Sequence, residues 1–260
     1  MRNSKIDLSI IIPTFNSSKT ILKTLKSVFF QDYKKYEIII IDSHSSDNTV
    51  LKIKSLRNKK IKLFYTDKKK GLAYARYFGI LKSHGKYIAF LDSDDEWKKG
   101  KLKKQLQFMK NKRSFFSCTN FHLKKNNYIK KILIKKNKIF FNDLLIDRPI
   151  ALSSVIVLKK ILIDVAGKYN SNNYAEDYLW WIMILKKKYH CDVLKIDLTR
   201  INVVENSRSV KVFLNYIALV KIYKVILKLS FIRIFLIFML LIFNTFEKNI
   251  FKYKNLFLNK

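Results

Sequence analysis

Gly85-Lys-Tyr-Ile-Ala-Phe-Leu-Asp-Ser-Asp-Asp-Glu-Trp97 is the stretch whose reading decides the fold class of this chain. Its apolar part, Tyr87 to Leu91, is a short uninterrupted run of the kind that forms a strand buried on both faces of a parallel sheet. The run passes directly into an acidic loop, Asp92-Ser-Asp-Asp-Glu-Trp97. In open parallel sheets ligands bind beyond the carboxyl ends of the strands, so acids placed there form a candidate site.

Working outward, the preceding residues alternate apolar runs with amphipathic segments, the pattern of repeated βαβ units. Leu8 to Pro13, Tyr36 to Ile41 and Ile61 to Tyr65 read as three further strands. Between the first two, Ile21, Leu22, Leu25, Val28 and Phe29 recur at helical spacing, with Ser17 or Ser18 available as a cap. Asp47 can cap a second helix reaching about Leu56, and Gly71 breaks the chain before a third, Leu72 to Ser83, which ends toward Gly85. Beyond Lys98 the spacing predicts a helix to about Asn111, then strands at Phe115 to Phe121, Tyr128 to Ile134 and Leu152 to Val157. A later helical region holds Glu176 and Asp177. With no repeat and no Pro- or Ser-rich linker, the simplest division is one α/β domain over residues 1–210 and a basic, apolar helical tail over 211–260.

Composition bounds the partners. The chain has 260 residues, 49% apolar and 28% charged, enough for a full core and unlike a disordered chain. Its net charge of +34 raises nucleic acid as a partner. Lys greatly outnumbers Arg, however, and is spread along the chain with Asn, Ile and Phe, so the expectation is solvated Lys faces and an anionic membrane surface, with no nucleic acid. A basic nucleic-acid-binding protein is the alternative of a different class. Cys118 and Cys191 lack CxxC partners, so neither a disulfide framework nor a structural zinc site is expected. Met1 to Asp7 is polar and the apolar run Leu8 to Ile12 is shorter than a signal peptide needs, so a cytoplasmic location is expected.

The strand ends carry Pro13-Thr-Phe-Asn16, Asp42-Ser-His-Ser-Ser-Asp47 and the acidic loop. Asp92, Asp94 and Asp95 repel one another without a cation, and alternate residues of a tight loop can direct Asp92 and Asp94 to one hard divalent ion. Capping the helix that follows would need only one Asp. An EF-hand loop requires Gly where Trp97 stands, and neither GxxxxGK nor GxGxxG follows the first strand. The four His residues match no ligand spacing such as HExxH.

These segments resemble the family-two glycosyltransferases of the GT-A fold, in particular the bacterial surface-polysaccharide branch that makes teichuronic acid, capsule and lipopolysaccharide. The resemblance runs through Ser9-Ile-Ile-Ile-Pro-Thr-Phe-Asn16, Ile41-Asp-Ser-His-Ser-Ser-Asp-Asn-Thr49, Ala75-Arg76 with Gly79-Ile80, Gly85 to Trp97, and Ala175-Glu-Asp-Tyr-Leu-Trp180. It implies a Rossmann-like, mostly parallel nucleotide-binding sheet and an inverting transfer from a nucleotide sugar, UDP-linked, to a glycan or lipid-linked glycan acceptor. A same-fold transferase acting on polyprenyl phosphate is the runner-up. The resemblance further implies that Pro13, Phe15 and Asp42 lie along the base and ribose with Arg76 nearby. Asp92 and Asp94 would form the pair that holds Mn2+ or Mg2+, Asp94 as direct ligand and Asp92 also reaching the ribose. Asp177 would act as general base, with Glu176 next in line. Many relatives carry a second acid after position 42, where this chain has Ser43. From the residues alone, Phe15 could equally sit in the core, Arg76 on a helix surface, and the two acids at 176 and 177 in a first helical turn where the dipole favours them.

In the tail, Phe231 to Phe246 is apolar except for Arg233, Asn244 and Thr245, and a Lys-rich amphipathic stretch precedes it. It is marginal for spanning a membrane. The expectation is a helix lying in the interface of an anionic leaflet at the inner face of the cytoplasmic membrane, against a helix docked on the catalytic domain.

Overall fold

A computed structural model describes residues 6–169, 175–203 and 212–241. In chain order it contains β1 (Leu8–Thr14), α1 (Ile21–Phe29), β2 (Tyr36–Asp42), α2 (Thr49–Ser55), β3 (Ile61–Tyr65), α3 (Gly71–Lys82), β4 (Tyr87–Phe90), β5 (Glu96–Trp97) and α4 (Lys101–Lys112). There follow β6 (Phe116–Lys125), β7 (Tyr128–Ile132), β8 (Lys138–Ile139), α5 (Phe141–Ile146), β9 (Ile156–Leu158), α6 (Lys159–Lys168), α7 (Glu176–Lys186), β10 (Cys191–Asn202) and α8 (Val212–Lys221).

The strands form one sheet in the order β3-β2-β1-β4-β9-β6-β10-β5, with β7 pairing β6 and β8 pairing β10. β1 to β4 pair in parallel. β9 enters antiparallel to both β4 and β6, and β6 and β10 then resume the first direction as a parallel pair. The mostly parallel sheet therefore presents most of its carboxyl ends to one edge, where the acidic loop emerges.

Strand periodicity of two assigns the core. Ile10, Ile12, Ile38 and Ile40 face Leu25, Val28, Ile53, Leu102 and Met109 of α1, α2 and α4. Ile11, Ile39, Ile41, Ile88 and Phe90 face the other layer, where Ala75, Ile80, Leu162, Trp180 and Trp181 of α3, α6 and α7 meet them. Gly85 lets β4 begin against β1: a Cβ there would stand 2.5 Å from the Ser9 backbone nitrogen, which cannot yield as a side chain would.

Several local expectations change. Residues Leu152 to Ser154 form a 3₁₀ turn, and only Ile156–Leu158 is a strand, because the Ser154 amide and hydroxyl both turn back to the Ala151 carbonyl. α1 has no side-chain cap; the Ser17 carbonyl takes the first amides, while its hydroxyl contacts Ser93. Asp47 lies two residues before Thr49, the first residue of α2, and accepts the Thr49 amide with one oxygen and the Ser18 amide with the other.

The described tail packs on the α/β body. Leu219, Ile222, Tyr223, Leu227, Ile234, Ile237 and Leu241 belong to the same buried cluster as Tyr178, Trp180 and Trp181. The Tyr223 hydroxyl lies 2.8 Å from that of Tyr178 and donates to the Leu145 carbonyl at 3.1 Å. No helix among the described residues is long and apolar enough to cross a membrane.

Candidate active site

The loops after β1 and β2 are knitted together by side chains. Asp42, 1% exposed, accepts hydrogen bonds from the Thr14 hydroxyl (2.9 Å), the Ser45 hydroxyl (2.6 Å) and the Ser45 amide (2.9 Å). Asn16, in the left-handed region at φ 48°, receives the Ser46 amide and donates its own amide to the Ser45 hydroxyl. Pro13 is buried at the end of β1, whereas Phe15 is 43% exposed, so it is a rim residue and not part of the core.

The acidic loop is held from two distant segments. Asp95 is buried and accepts the Ser153 hydroxyl at 2.6 Å and the Asn202 amide at 3.0 Å. The Asn202 side-chain amide donates to the Asp94 carbonyl. Ser153 also receives the Asp92 amide at 3.2 Å, and its carbonyl takes the Trp97 indole N–H at 2.7 Å. Neither Ser153 nor Asn202 was a candidate from sequence, and no local signal marks them. Beneath the loop, Lys101 is fully buried with its ammonium nitrogen 3.9 Å from the Trp97 ring centroid and no hydrogen-bond partner among the described residues; burial pushes its pKa well down.

Arg76 joins the two acidic motifs. Projecting from α3, it is 4% exposed, which removes the reading of a surface arginine. One guanidinium nitrogen donates to Asp92 Oδ1 at 2.5 Å and the other to Glu176 Oε1 at the start of α7. Burial alone would lower its pKa, but the charges of Asp92, Glu176 and Asp177 hold it protonated.

The remaining carboxylates are under strain of charge. Burial, then the negative charge of Asp92, pushes Asp94 up to about 6. Burial, then Glu176, pushes Asp177 up to about 6, opposed by Arg76 and by its hydrogen bond from the Tyr178 amide. Asp95 is pushed well up by burial and by both of its loop neighbours. One guanidinium thus stands among Asp92, Asp94, Glu176 and Asp177, with Asp95 beside the first two. An excess of carboxylate oxygen of this kind suits a hard divalent cation. Among the described residues no three His, Cys, Asp or Glu side chains converge as a ready-made metal cage, so Asp92 and Asp94 would need ligands from a bound diphosphate or water to complete one.

This geometry brings Arg76, Asp92, Glu176 and Asp177 into one electrostatic cluster, with Asp94 adjoining, and places Pro13, Phe15 and Asp42 along the neighbouring β1 and β2 ends of the same sheet.

Comparison with known proteins identifies the family. Residues 9–157 match the family model described as glycosyl transferase family 2. The chain is 34% identical over 179 residues to the Escherichia coli UDP-Glc:alpha-D-GlcNAc-diphosphoundecaprenol beta-1,3-glucosyltransferase WfgD, covering 69% of this chain and 70% of that protein. It is 31% identical over 215 residues to the putative teichuronic acid biosynthesis glycosyltransferase TuaG of Bacillus subtilis, covering 80% and 84%. Among solved structures, S. aureus TarS 1-349 in complex with UDP-GlcNAc superposes with a TM-score of 0.68 at 22% identity. That match covers 79% of this chain but only 61% of the TarS chain, and it shares the GT-A fold. The chain belongs to glycosyl transferase family 2 and is a glycosyltransferase.

Proposed function

We propose that the protein transfers a sugar from a UDP-linked donor, with inversion, to a hydroxyl of a lipid-linked precursor of a cell-surface glycan, at the inner face of the cytoplasmic membrane. Residues 1–210 carry the chemistry and 211–260 face the membrane. The donor class is supported by the UDP-Glc in the name of WfgD and the UDP-GlcNAc in the TarS complex, and the acceptor class by the diphosphoundecaprenol in the name of WfgD.

The observation that carries the mechanism is the Arg76 bridge between Asp92 and Glu176, which engages Glu176, while burial and then the charge of Glu176 raise the neighbouring Asp177 carboxyl to about 6 against the pull of Arg76. A base of that strength is ionised at neutral pH and still able to take a proton. Asp177 removes the acceptor hydroxyl proton as that oxygen bonds the anomeric carbon and the bond to the diphosphate breaks, so the configuration inverts. Asp94, with Asp92, would hold Mn2+ or Mg2+, which would neutralise charge on the departing diphosphate. Pro13, Phe15 and Asp42 border the nucleoside.

The deciding experiment is a donor screen that measures UDP release with a lipid-linked acceptor, followed by identification of the product linkage. Release with no UDP sugar would reject the donor class. A sugar found directly on polyprenyl phosphate would reject the hydroxyl acceptor.

A further inference from the structure

The helix over residues 231–241 is built inside out for a surface helix. At 100° per residue, Ile234, Ile237 and Leu241 fall within an arc of about 60°. They are the buried residues of this helix and join the core cluster that contains Tyr178 and Trp181. The opposite arc of about 180° holds Phe231, Ile232, Phe235, Leu236, Met239 and Leu240. All six are exposed, Phe231 at 80% and Ile232 at 73%. A surface helix ordinarily turns a polar face outward, and contiguous exposed apolar patches mark interaction sites.

Charge identifies the occupant. Arg233 lies at the border of this arc, and Lys221, Lys224 and Lys228 stand exposed on the preceding turns, where Val220 and Val225 are also exposed. No Asp or Glu occurs anywhere between residues 206 and 246. The described turns of this helix, residues 231–241, rise roughly 16 Å, about half of a hydrocarbon core.

We infer that residues 217–241 are a two-sided seat on an anionic lipid surface: Phe231, Ile232, Phe235, Leu236, Met239 and Leu240 enter the headgroup boundary of the leaflet, the flanking Lys and Arg meet lipid phosphates, and the inner stripe fixes the catalytic body to that surface. Tyr223 makes the connection short, because its hydroxyl meets that of Tyr178, the residue after Asp177. The inference rests on the membrane-side reading of the function and names the surface that serves it. The seat is therefore part of the catalytic core and not a removable anchor, and point substitutions on the outer arc are the proper probe.

The test uses the full chain and vesicles of phosphatidylglycerol with phosphatidylethanolamine, compared with phosphatidylcholine alone. Wild-type protein is expected to sediment with the anionic vesicles. The triple variant Phe235→Ser/Leu236→Ser/Met239→Ser should lose at least about 10-fold in partition while keeping its circular dichroism and melting temperature. Lys221→Gln/Lys224→Gln/Lys228→Gln should lose binding to the anionic vesicles, and added salt should weaken wild-type binding in the same way. Undiminished binding by the serine variant overturns the inference. So does a wild type that ignores vesicles but forms a dimer which the serine variant breaks, since the arc then belongs to a second copy. If the serine variant does not fold, Phe235→Cys carrying an environment-sensitive fluorophore decides: a blue shift on anionic vesicles is expected, and its absence overturns the seat. UDP release on a water-soluble acceptor, measured in parallel, reports on the transferase reading separately.

Discussion

Asp177→Asn should make the protein inactive and more stable at once. The substitution keeps the shape of the side chain and an oxygen to accept the Tyr178 amide, but it removes both the charge and the ability to take a proton. Removing a general base slows transfer by about 10²- to 10⁴-fold. The stability effect follows from the carboxyl being raised from 3.8 to about 6, chiefly by burial and then by Glu176. At about 1.4 kcal/mol per unit, holding the charge at neutral pH costs up to about 3 kcal/mol, of which we expect about 1–3 to be recovered. For a chain of this size that raises Tm by roughly 2–10 °C. The sign fixes the pH window. A carboxyl whose folded pKa is raised weakens the fold fully above about 6, and the penalty disappears as pH falls toward 3.8, where the unfolded chain is protonated as well. The gain of Asp177→Asn should therefore be present at pH 7.5 and fade by about pH 4. The assay is thermal unfolding across this range, beside transfer rate and donor affinity at pH 7.5. A variant that transfers at near-wild-type rate, or that is less stable at pH 7.5, would refute the reasoning, because the acid would then serve the helix start and not the reaction.

Glu176→Gln should behave oppositely, losing about 2–4 kcal/mol in urea unfolding because the buried Arg76 forfeits one of its charged partners, with donor affinity falling as Asp92 shifts; unchanged stability would show that the bridge is dispensable. Chelation of divalent ions, or Asp94→Asn, should weaken nucleotide-sugar binding by at least about 10-fold in calorimetry, and metal affinity should decline as pH drops through about 6, where protons compete for that carboxyl. Equal donor affinity with and without metal discards the metal assignment. Lys101→Met should stabilise the fold at neutral pH by about 1–3 kcal/mol, since it replaces a buried amine that has no hydrogen-bond partner among the described residues. The amine binds protons less well in the folded chain, so wild-type stability should climb with pH toward the ordinary lysine range, and the variant should flatten that climb.

β1 to β4 and α1 to α4 were legible in the sequence because each strand is a local apolar run and each helix a local period. β10 was not. Its twelve residues mix Lys195, Asp192, Asp197 and Arg200 with apolar positions, and irregularities between Leu194 and Asp197 and between Asp197 and Thr199 break the alternation that would reveal a strand. Asp42 and the acids of the loop at 92–95 were legible from their position after a strand, whereas Glu176 and Asp177 were singled out only through the family resemblance. The meaning of Arg76 was not, because its partner Glu176 lies 100 residues away and only the fold brings them together. Ser17 and Ser18 illustrate the same limit at short range: spacing suggested helix caps, whereas the side chain of Ser17 and the amide of Ser18 serve contacts between loops, and Asp47 divides its carboxylate between the start of α2 and Ser18.

The clamp on the acidic loop also sets a schedule for synthesis. A chain still emerging from the ribosome carries Asp92, Asp94 and Asp95 early, but Asn202, which fixes the Asp94 carbonyl and the Asp95 carboxylate, arrives more than a hundred residues later. β10 must also take its place between β6 and β5 before that clamp exists. Until then three neighbouring carboxylates repel one another in a loop without its supports. The acidic loop thus reaches the arrangement seen here only when the sheet is finished.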